Sequence, residues 1–243
     1  MERHIYDRMR ALEQTHWWYA ARRQILASEI GRLPLPAAAR IVEVGCGAGG
    51  NLELLSRFGE VQGVEPDPES RAYAQTRSGL TIQGGLLPDG LPDLGEPFDL
   101  IAAFDVVEHV DDDKGAIAAL ARQLKPGGFL VTTVPAGAWM WSDHDAEHHH
   151  KRRYRLADYR ALFETAGLTV RRASHFNTVL FPLIAAARLA KSLAGVRGGD
   201  EDAHPPALLN GVLRRLFAVE KHLLNATNLP VGVSILLIAQ RPR

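Results

Sequence analysis

The sequence is poor in sulfur and has no excess of charge of either sign. Its 243 residues include one cysteine and three methionines, and 28 lysines and arginines balance 28 aspartates and glutamates. A single cysteine excludes an internal disulfide and a multi-cysteine zinc site. The absence of net charge gives no support to non-specific nucleic-acid binding, so we expect no nucleic-acid partner.

An N-terminal signal and a clear membrane span are also missing. Residues 1–10 are polar and contain no apolar run, which favours a cytoplasmic protein. The most apolar stretch, residues 179–193, is interrupted by Pro182 and Arg188 and is short for a bilayer span. It is interpreted as a buried cap helix. The alternative is a doorway for a lipid-like acceptor, or a region of interfacial membrane contact.

The chain is organised around residues 41–51, which read Ile-Val-Glu-Val-Gly-Cys-Gly-Ala-Gly-Gly-Asn. Apolar β-branched residues at the start predict a strand that is covered on both faces. Gly45, Gly47 and Gly49 follow, and their lack of side chains permits a sharp bend and the close approach of a ligand. Cys46 is interpreted as a small residue that fits this turn. A helical pattern begins at Asn51.

The composition of this turn separates several kinds of binding loop. The Lys-Ser/Thr pair of a phosphate-cradling P-loop is missing, and the dinucleotide fingerprint G-x-G-x-x-G fits only in relaxed form. Glu43 decides between the interpretations, because E-x-G-C-G-x-G resembles motif I of class I S-adenosylmethionine-dependent methyltransferases. In that family the glycine turn passes under the methionine and ribose parts of the cofactor. The resemblance implies that the cofactor is held here by Glu43, Gly45, Cys46, Gly47 and Asn51.

A second strand, residues 61–65, ends in an acidic residue about twenty positions after the first glycine. Glu65 is therefore predicted to hold two ribose hydroxyls, with Pro66 beside it, while Asp67 is predicted to cap the next helix. The family commonly has an acidic residue after the third strand, here residues 80–84, to meet the adenine. This sequence lacks it, so adenine binding is expected to rely on Gly85 and Leu86.

Two further motifs strengthen the resemblance. Residues 97–104 are predicted to form the fourth strand, and the run F-D-L-I-x-x-x-D-x-x-E-H-V continues into Asp105 and His109. Ligands in open parallel sheets bind beyond the carboxyl ends of strands, which places Asp105, Glu108 and His109 near the transferred methyl group. Phe104, the last residue of the strand, is also predicted to contact the cofactor. Glu108 and His109 have the alternative of bracing the loop and capping the next helix. The run L-K-P-G-G-x-L at residues 124–130 is predicted to end a helix and lead into the fifth strand.

An aromatic run near the N-terminus has no explanation in the core motifs. Trp17, Trp18 and Tyr19 follow a histidine and precede two arginines, and such side chains are costly to leave exposed. One tryptophan is interpreted as an anchor of the N-terminal helix. Trp18, Tyr19 and Arg22 are predicted to form a lid over the cofactor, with an arginine meeting a carboxylate through its planar fork. The run resembles the start of a bacterial methyltransferase subgroup.

Histidines are concentrated in residues 144–150, after the fifth strand. The mixture of histidine and aspartate suggests a metal site, but related methyltransferases have a similar pattern without an obligate metal, so none is expected. A general base is the preferred interpretation, because an imidazole titrates near neutral pH. The candidates are His144, His149 and His109.

The alternation of strands and helices predicts an α/β fold with a doubly wound, mostly parallel sheet. The resemblance implies a Rossmann-like sheet of seven strands, with the last strand antiparallel. Residues 1–36 are assigned to a helical lid, 37–176 to the cofactor-binding core, 177–230 to a helical insertion and 231–243 to the last strand. Within the insertion, residues 195–206 are predicted to form a loop. A later helix has Leu209, Val212, Leu216, Val219 and Leu223 on one side.

The resemblance implies transfer of a methyl group from S-adenosyl-L-methionine to a small or lipid-linked metabolite, with oxygen as the preferred acceptor atom. N- or C-methylation of a natural product or sugar is the alternative. Two other classes share features of the pattern, namely an NAD-dependent oxidoreductase and a non-catalytic protein that retains the cofactor fold. The protein is expected to be a monomer or a homodimer.

Overall fold

The fold is built on one sheet whose strands agree with the predicted alternation. The computed structural model describes residues 3–194 and 204–243, and within them seven strands pair in the order β3-β2-β1-β4-β5-β7-β6. The strands are β1 Ala39–Val44, β2 Gly59–Val64, β3 Ile82–Gln83, β4 Phe98–Phe104, β5 Leu124–Pro135, β6 Thr169–Phe176 and β7 Ser234–Gln240. β7 runs antiparallel to β5 and β6, while β1 to β5 pair in parallel. The predicted seven-stranded sheet with an antiparallel last strand is confirmed.

Helices cover both faces of this sheet. They are α1 Arg3–Leu12, α2 Trp17–Ile30, α3 Leu52–Leu55, α4 Pro68–Ser78, α5 Asp113–Arg122, α6 Asp143–Glu147, α7 Leu156–Thr165, α8 Phe181–Leu193, α9 Ala207–Ala218 and α10 Glu220–Ala226. Asp67 caps α4 as predicted, because its carboxylate accepts a hydrogen bond from the Ser70 N–H at 2.8 Å. Proline at the first position of α4 loses no helical hydrogen bond there.

Adjacent residues of the central strands point into opposite cores, as the two-residue period of a strand requires. Ile41 belongs to the core that α2 and α9 cover, whereas Val42 belongs to the core that α5 and α7 cover. Both side chains are fully buried. Ile25 of α2 shares a core with Ile41, so the N-terminal helical segment packs directly onto the sheet.

The predicted turn at residues 124–128 is instead part of β5. Leu124 pairs with Phe98, and the next paired residues are Phe129 and Leu100. Residues 125–128 therefore form an irregularity in the strand, and Gly127 has a φ of +84° there. The glycines and proline of this run allow a bulge and do not end the strand. The third strand is also shorter than residues 80–84.

The helices of the insertion are more exposed than the sequence pattern suggests. The predicted apolar side of α9 and α10 exists, but its leucines and valines face outward, and Phe217 and Leu224 pack against the core instead. The expected burial of α8 is wrong, because Leu183 and Leu189 of that helix are exposed by 66% and 57%. Residues 195–203, the larger part of the predicted loop, lie outside the described residues. None of the helices in the described part of the chain is long and apolar enough to cross a membrane.

Candidate functional site

A cleft of about 940 Å³ opens at the carboxyl ends of β1, β2, β4 and β5, between α2 and α8. This is the edge where parallel α/β sheets bind ligands. Fifteen of the predicted site residues line it, namely Trp18, Tyr19, Arg22, Gly45, Cys46, Gly47, Asn51, Glu65, Pro66, Gly85, Leu86, Phe104, Asp105, His109 and His144. Two predicted residues, Glu43 and His149, do not line it.

The glycine turn leaves open space above its backbone. Gly45, Gly47 and Gly49 have φ values of +73°, +55° and +84°, which favour glycine. A Cβ at Gly45 would lie 2.5 Å from Cγ2 of Val106, whereas a Cβ at Gly47 would have no atom within 4 Å. The first glycine is therefore required by packing, and the second borders the open cleft. Burial raises the pKa of the Cys46 thiol, so it stays protonated and suits a purely packing role.

Glu65 is fixed at the edge of the cleft by backbone donors. Its Oε2 accepts a hydrogen bond from the Gly47 N–H at 2.8 Å, and its Oε1 accepts one from the Asp67 N–H at 2.9 Å. Burial raises the pKa of Glu65, and the two backbone hydrogen bonds oppose that rise. Each carboxylate oxygen has a second lone pair, so the group can still accept hydrogen bonds from a ligand.

Glu43 lies beneath the glycine turn and not in the cleft lining. Its Oε1 accepts a hydrogen bond from Nδ2 of Asn51 at 2.7 Å, and its Oε2 has no partner among the described residues. Burial raises the pKa of Glu43 to about 8. This position does not fit the predicted direct contact with a cofactor. The side chain instead orients Asn51, which does line the cleft.

Arg22 joins the N-terminal helix to the end of β4. Its Nη1 donates to Oδ2 of Asp105, and its guanidinium lies 4.4 Å from the centre of the Trp18 ring. Asp105 has a φ of +56° and also accepts a hydrogen bond from Oγ1 of Thr133 at 3.0 Å. The predicted arginine–carboxylate contact thus exists, and the carboxylate belongs to the chain itself.

Four imidazoles lie close together in the lining of the cleft. The ring centres of His109 and His150 are 4.8 Å apart, and those of His144 and His148 are 4.1 Å apart. His149, which was predicted as a base, is exposed and has a φ of +57°, so the backbone turns at this residue.

Two of these neighbouring groups have strongly shifted pKa values. Burial, followed by the charges of His150 and His148, lowers the pKa of His109 to about 3. A base with such a pKa accepts protons poorly at neutral pH, which disfavours His109 as a general base. Burial and the nearby Asp105 raise the pKa of Glu108 well above the ordinary value. Glu108 is fully buried, and neither of its carboxylate oxygens has a hydrogen-bond partner in the described structure.

Sequence reasoning missed several residues of the cleft. His148 is four residues after His144, and this helical spacing was the signal that could have placed both on one side. His150 is held by Asp145, whose Oδ1 lies 2.8 Å from His150 Nδ1 and accepts from Arg153 Nε at 2.8 Å. The cleft wall from α8 was also missed, and it consists of Ile184, Ala187, Arg188 and Lys191.

Comparison with known proteins gives a family for this fold and cleft. Residues 17–173 match the model of a methyltransferase domain, which is more than half of the chain. The chain belongs to this methyltransferase family. The match begins at the aromatic run and ends within β6, so it includes β1, β2, β4 and β5, at whose carboxyl ends the cleft opens.

Curated relatives match a shorter part of the chain. A ubiquinone biosynthesis O-methyltransferase of Cereibacter sphaeroides is 36% identical over 120 residues, which is 46% of this chain and 49% of that protein. An enzyme with the same name from Xylella fastidiosa is 37% identical over 110 residues, which is 42% of this chain and 44% of that protein. The chain thus matches about half the length of these relatives.

A solved structure extends the similarity of fold to the whole chain. The Haloferax volcanii complex of the Trm112 methyltransferase activator and a methyltransferase has a TM-score of 0.65 at 21% identity, covering 99% of this chain and 95% of that chain. At this level of identity the likeness concerns the fold alone.

Proposed function

We propose that this member of the methyltransferase family transfers the methyl group of S-adenosyl-L-methionine to an oxygen atom of a small or lipid-linked acceptor. The observation that carries the proposal is the position of Glu65, a carboxylate fixed at the edge of the open space above Gly47. A carboxylate with free lone pairs can accept hydrogen bonds from both hydroxyls of a ribose.

The residues present fit two parts of the donor, its ribose and its adenine. Glu65 would hold the ribose, while the backbone of Gly85 and the side chain of Leu86 would border the adenine. When bound, the donor supplies an electrophilic methyl group on a positively charged sulfur. Arg22 and Asp105 would close the cleft over the reacting groups, because their contact joins α2 to β4. Excluding water and aligning the acceptor lower the barrier to displacement.

Two observations favour oxygen as the acceptor atom. The curated relatives are named as O-methyltransferases, and imidazoles from the segments that follow β4 and β5 line the cleft. A hydroxyl acceptor has to lose a proton, and His144 is the remaining candidate base in the cleft, because burial disfavours His109 and His149 does not line the cleft. Ile184 and Ala187 of α8 add apolar surface to the cleft, which suits an acceptor with an apolar tail. An amine acceptor would need positioning alone.

The variant Glu65→Gln tests the donor site. Removing the charge weakens two hydrogen bonds to the ribose, so the affinity for S-adenosylhomocysteine should fall about 10- to 100-fold. Titration calorimetry measures it, with the variant of exposed Glu60 on the same strand, Glu60→Gln, as the control. In the unmodified protein S-adenosylhomocysteine should raise the melting temperature and NADH should not. Stabilisation by NADH alone would favour an oxidoreductase and contradict the proposal.

A further inference from the structure

We propose that Glu108, His109 and His150 bind a divalent transition-metal ion where the imidazoles line the cleft. Metal binding itself does not depend on the proposed methyl transfer. Only the role of the ion in the reaction rests on the proposed function. The sequence pattern predicted no metal here, because related methyltransferases have a similar pattern without an obligate metal.

The three side chains converge from two different segments. Each offers one ligand atom, and the three atoms lie within 4.8 Å of one another. Ligands about 2.0–2.1 Å from a tetrahedral metal are about 3.3 Å apart, so small side-chain rotations would complete the site. The two segments are also joined, since the Lys151 N–H donates to the Glu108 carbonyl oxygen at 2.8 Å.

Glu108 is the strongest indication that a cation belongs here. Its side chain has no exposed surface, and neither carboxylate oxygen has a donor among the described residues. A buried carboxylate without a partner is costly, and buried polar groups are nearly always satisfied. A bound cation would satisfy both oxygens at once. The neighbouring positive groups do not fill this role, because Arg22 binds Asp105 and Arg153 binds Asp145.

His150 is held in the orientation expected of a metal ligand. Its Nδ1 lies 2.8 Å from Oδ1 of Asp145, which leaves Nε2 available for an ion. Asp145 is itself buried and is fixed by Arg153 Nε and by the Ser142 N–H, both at 2.8 Å. A carboxylate that binds the second nitrogen of a ligand histidine orients the ring and increases its basicity.

The ligand set indicates the class of metal. Two imidazoles and one carboxylate favour zinc, iron, cobalt or manganese over magnesium and calcium, which prefer oxygen ligands throughout. Three protein ligands leave at least one coordination position open, as in catalytic sites. His109 and His150 line the cleft, so this position can be reached by an acceptor.

An acceptor hydroxyl at the open position would lose its proton more easily, because a metal ion lowers the pKa of a coordinated oxygen. The proton would pass to His144 or to water. The acceptor oxygen would then form a bond to the methyl carbon while the carbon–sulfur bond breaks, and the sulfur would keep the electron pair. The products are the methyl ether and S-adenosylhomocysteine.

Cobalt titration of the untagged, chelator-treated protein tests the proposal. Co²⁺ should bind with a stoichiometry of one and give the visible absorption bands of a four- or five-coordinate ion, and Zn²⁺ should displace it. Glu108→Gln and His150→Asn should each weaken Co²⁺ binding at least about tenfold, and Asp145→Asn should weaken it about 10- to 100-fold. The control is His149→Asn, which changes the exposed neighbour of His150 and should leave the affinity for Co²⁺ unchanged.

Each variant should still be stabilised by S-adenosylhomocysteine, which shows that the cleft is folded. If the unmodified protein fails to bind Co²⁺ and Zn²⁺, or if His149→Asn and His150→Asn weaken binding equally, the metal site is wrong. Metal binding without any stabilisation by S-adenosylhomocysteine would leave the metal site in place and contradict the proposed methyl transfer instead.

Discussion

Three buried glutamates surround the cleft, and burial raises the pKa of each. Glu43 lies under the glycine turn, Glu65 at the edge of the cleft and Glu108 beside the histidines. A carboxyl group whose pKa is higher in the folded protein than in the unfolded chain takes up protons on folding. Its contribution to stability is therefore present at low pH and is lost as the pH rises through the folded-state pKa.

Glu43→Gln should remove part of this pH dependence. The pKa of Glu43 rises from 4.5 to about 8 on folding, so the unmodified protein loses stability between these values and the neutral amide does not. The free energy of unfolding of the variant, relative to the unmodified protein, should increase by about 1–3 kcal/mol from pH 5 to pH 9. Urea unfolding of the ligand-free proteins measures this difference.

The matched control is Glu53→Gln, which changes an exposed carboxylate of α3. Its free energy of unfolding should run parallel to that of the unmodified protein across the same pH range. If the free energy of unfolding of Glu43→Gln also runs parallel to that of the unmodified protein, Glu43 is ionised in the folded protein. Its protonation then does not contribute to stability.

At the scale of elements, two glycines of the turn between β1 and α3 lie in different surroundings. Gly45 packs against Val106, while Gly47 borders open space. Both have positive φ values, so a side chain costs about 1–2 kcal/mol at either position. Only at Gly45 does a steric overlap add to that cost.

Alanine at these two positions should therefore separate stability from binding. Gly45→Ala should lower the free energy of unfolding by more than about 2 kcal/mol, because its Cβ would overlap Val106. Gly47→Ala should cost about 1 kcal/mol but weaken S-adenosylhomocysteine binding, because its Cβ would occupy the cleft. Urea unfolding and calorimetry measure the two effects. Equal losses of stability would show that Val106 moves aside.

Local sequence patterns were sufficient to predict several of the elements that build the sheet. The apolar start of residues 41–51 and the cap at Asp67 are set by neighbours in the sequence, and the structure confirms both. The orientation of the histidine loop is set by contacts distant in sequence. Asp145 selects His150 and the turn at His149 points that ring outward, so the sequence favoured His149 and missed His150.

The same limit applies to the helices after β6. The helical spacing of apolar residues predicts that α9 has an apolar side, but it does not predict which side of the helix packs against the core. Phe217 and Leu224 fill the space against the sheet, and the stripe that begins at Leu209 is left outside. Which side packs inward depends on the shape of the sheet face, and a local sequence pattern does not determine that shape.

At the scale of the whole molecule, two helices of the insertion carry much of the exposed apolar surface. α8 and α9 expose leucines and valines, and neither helix contains an acidic residue. α9 also contains two exposed cations, Arg214 and Arg215, whereas the cations of α8, Arg188 and Lys191, line the cleft. A helix that exposes apolar residues and cations and contains no acidic residue is typical of contact with anionic lipid.

We expect the protein to co-sediment with vesicles that contain anionic lipid. The double variant Leu208→Ser with Leu216→Ser should lower the fraction of protein bound to vesicles markedly. Each leucine that becomes buried in the lipid contributes about 1.5–3 kcal/mol to the free energy of binding. Tyr73→Ser is the control, since this exposed aromatic residue lies on α4. Equal sedimentation of both variants would contradict the prediction. Light scattering that shows a dimer, lost in the double variant, would assign the surface to a second copy.

The position of β7 has a consequence for synthesis on the ribosome. β7 lies between β5 and β6, and in the described sheet β6 pairs with no other strand. β6 therefore has no place in the sheet until residues 177–233 and then β7 itself have been translated. Until that moment the nascent chain has an unpaired edge at β5, which other strands can join. Rapid translation of this region would shorten the interval in which aggregation competes with folding.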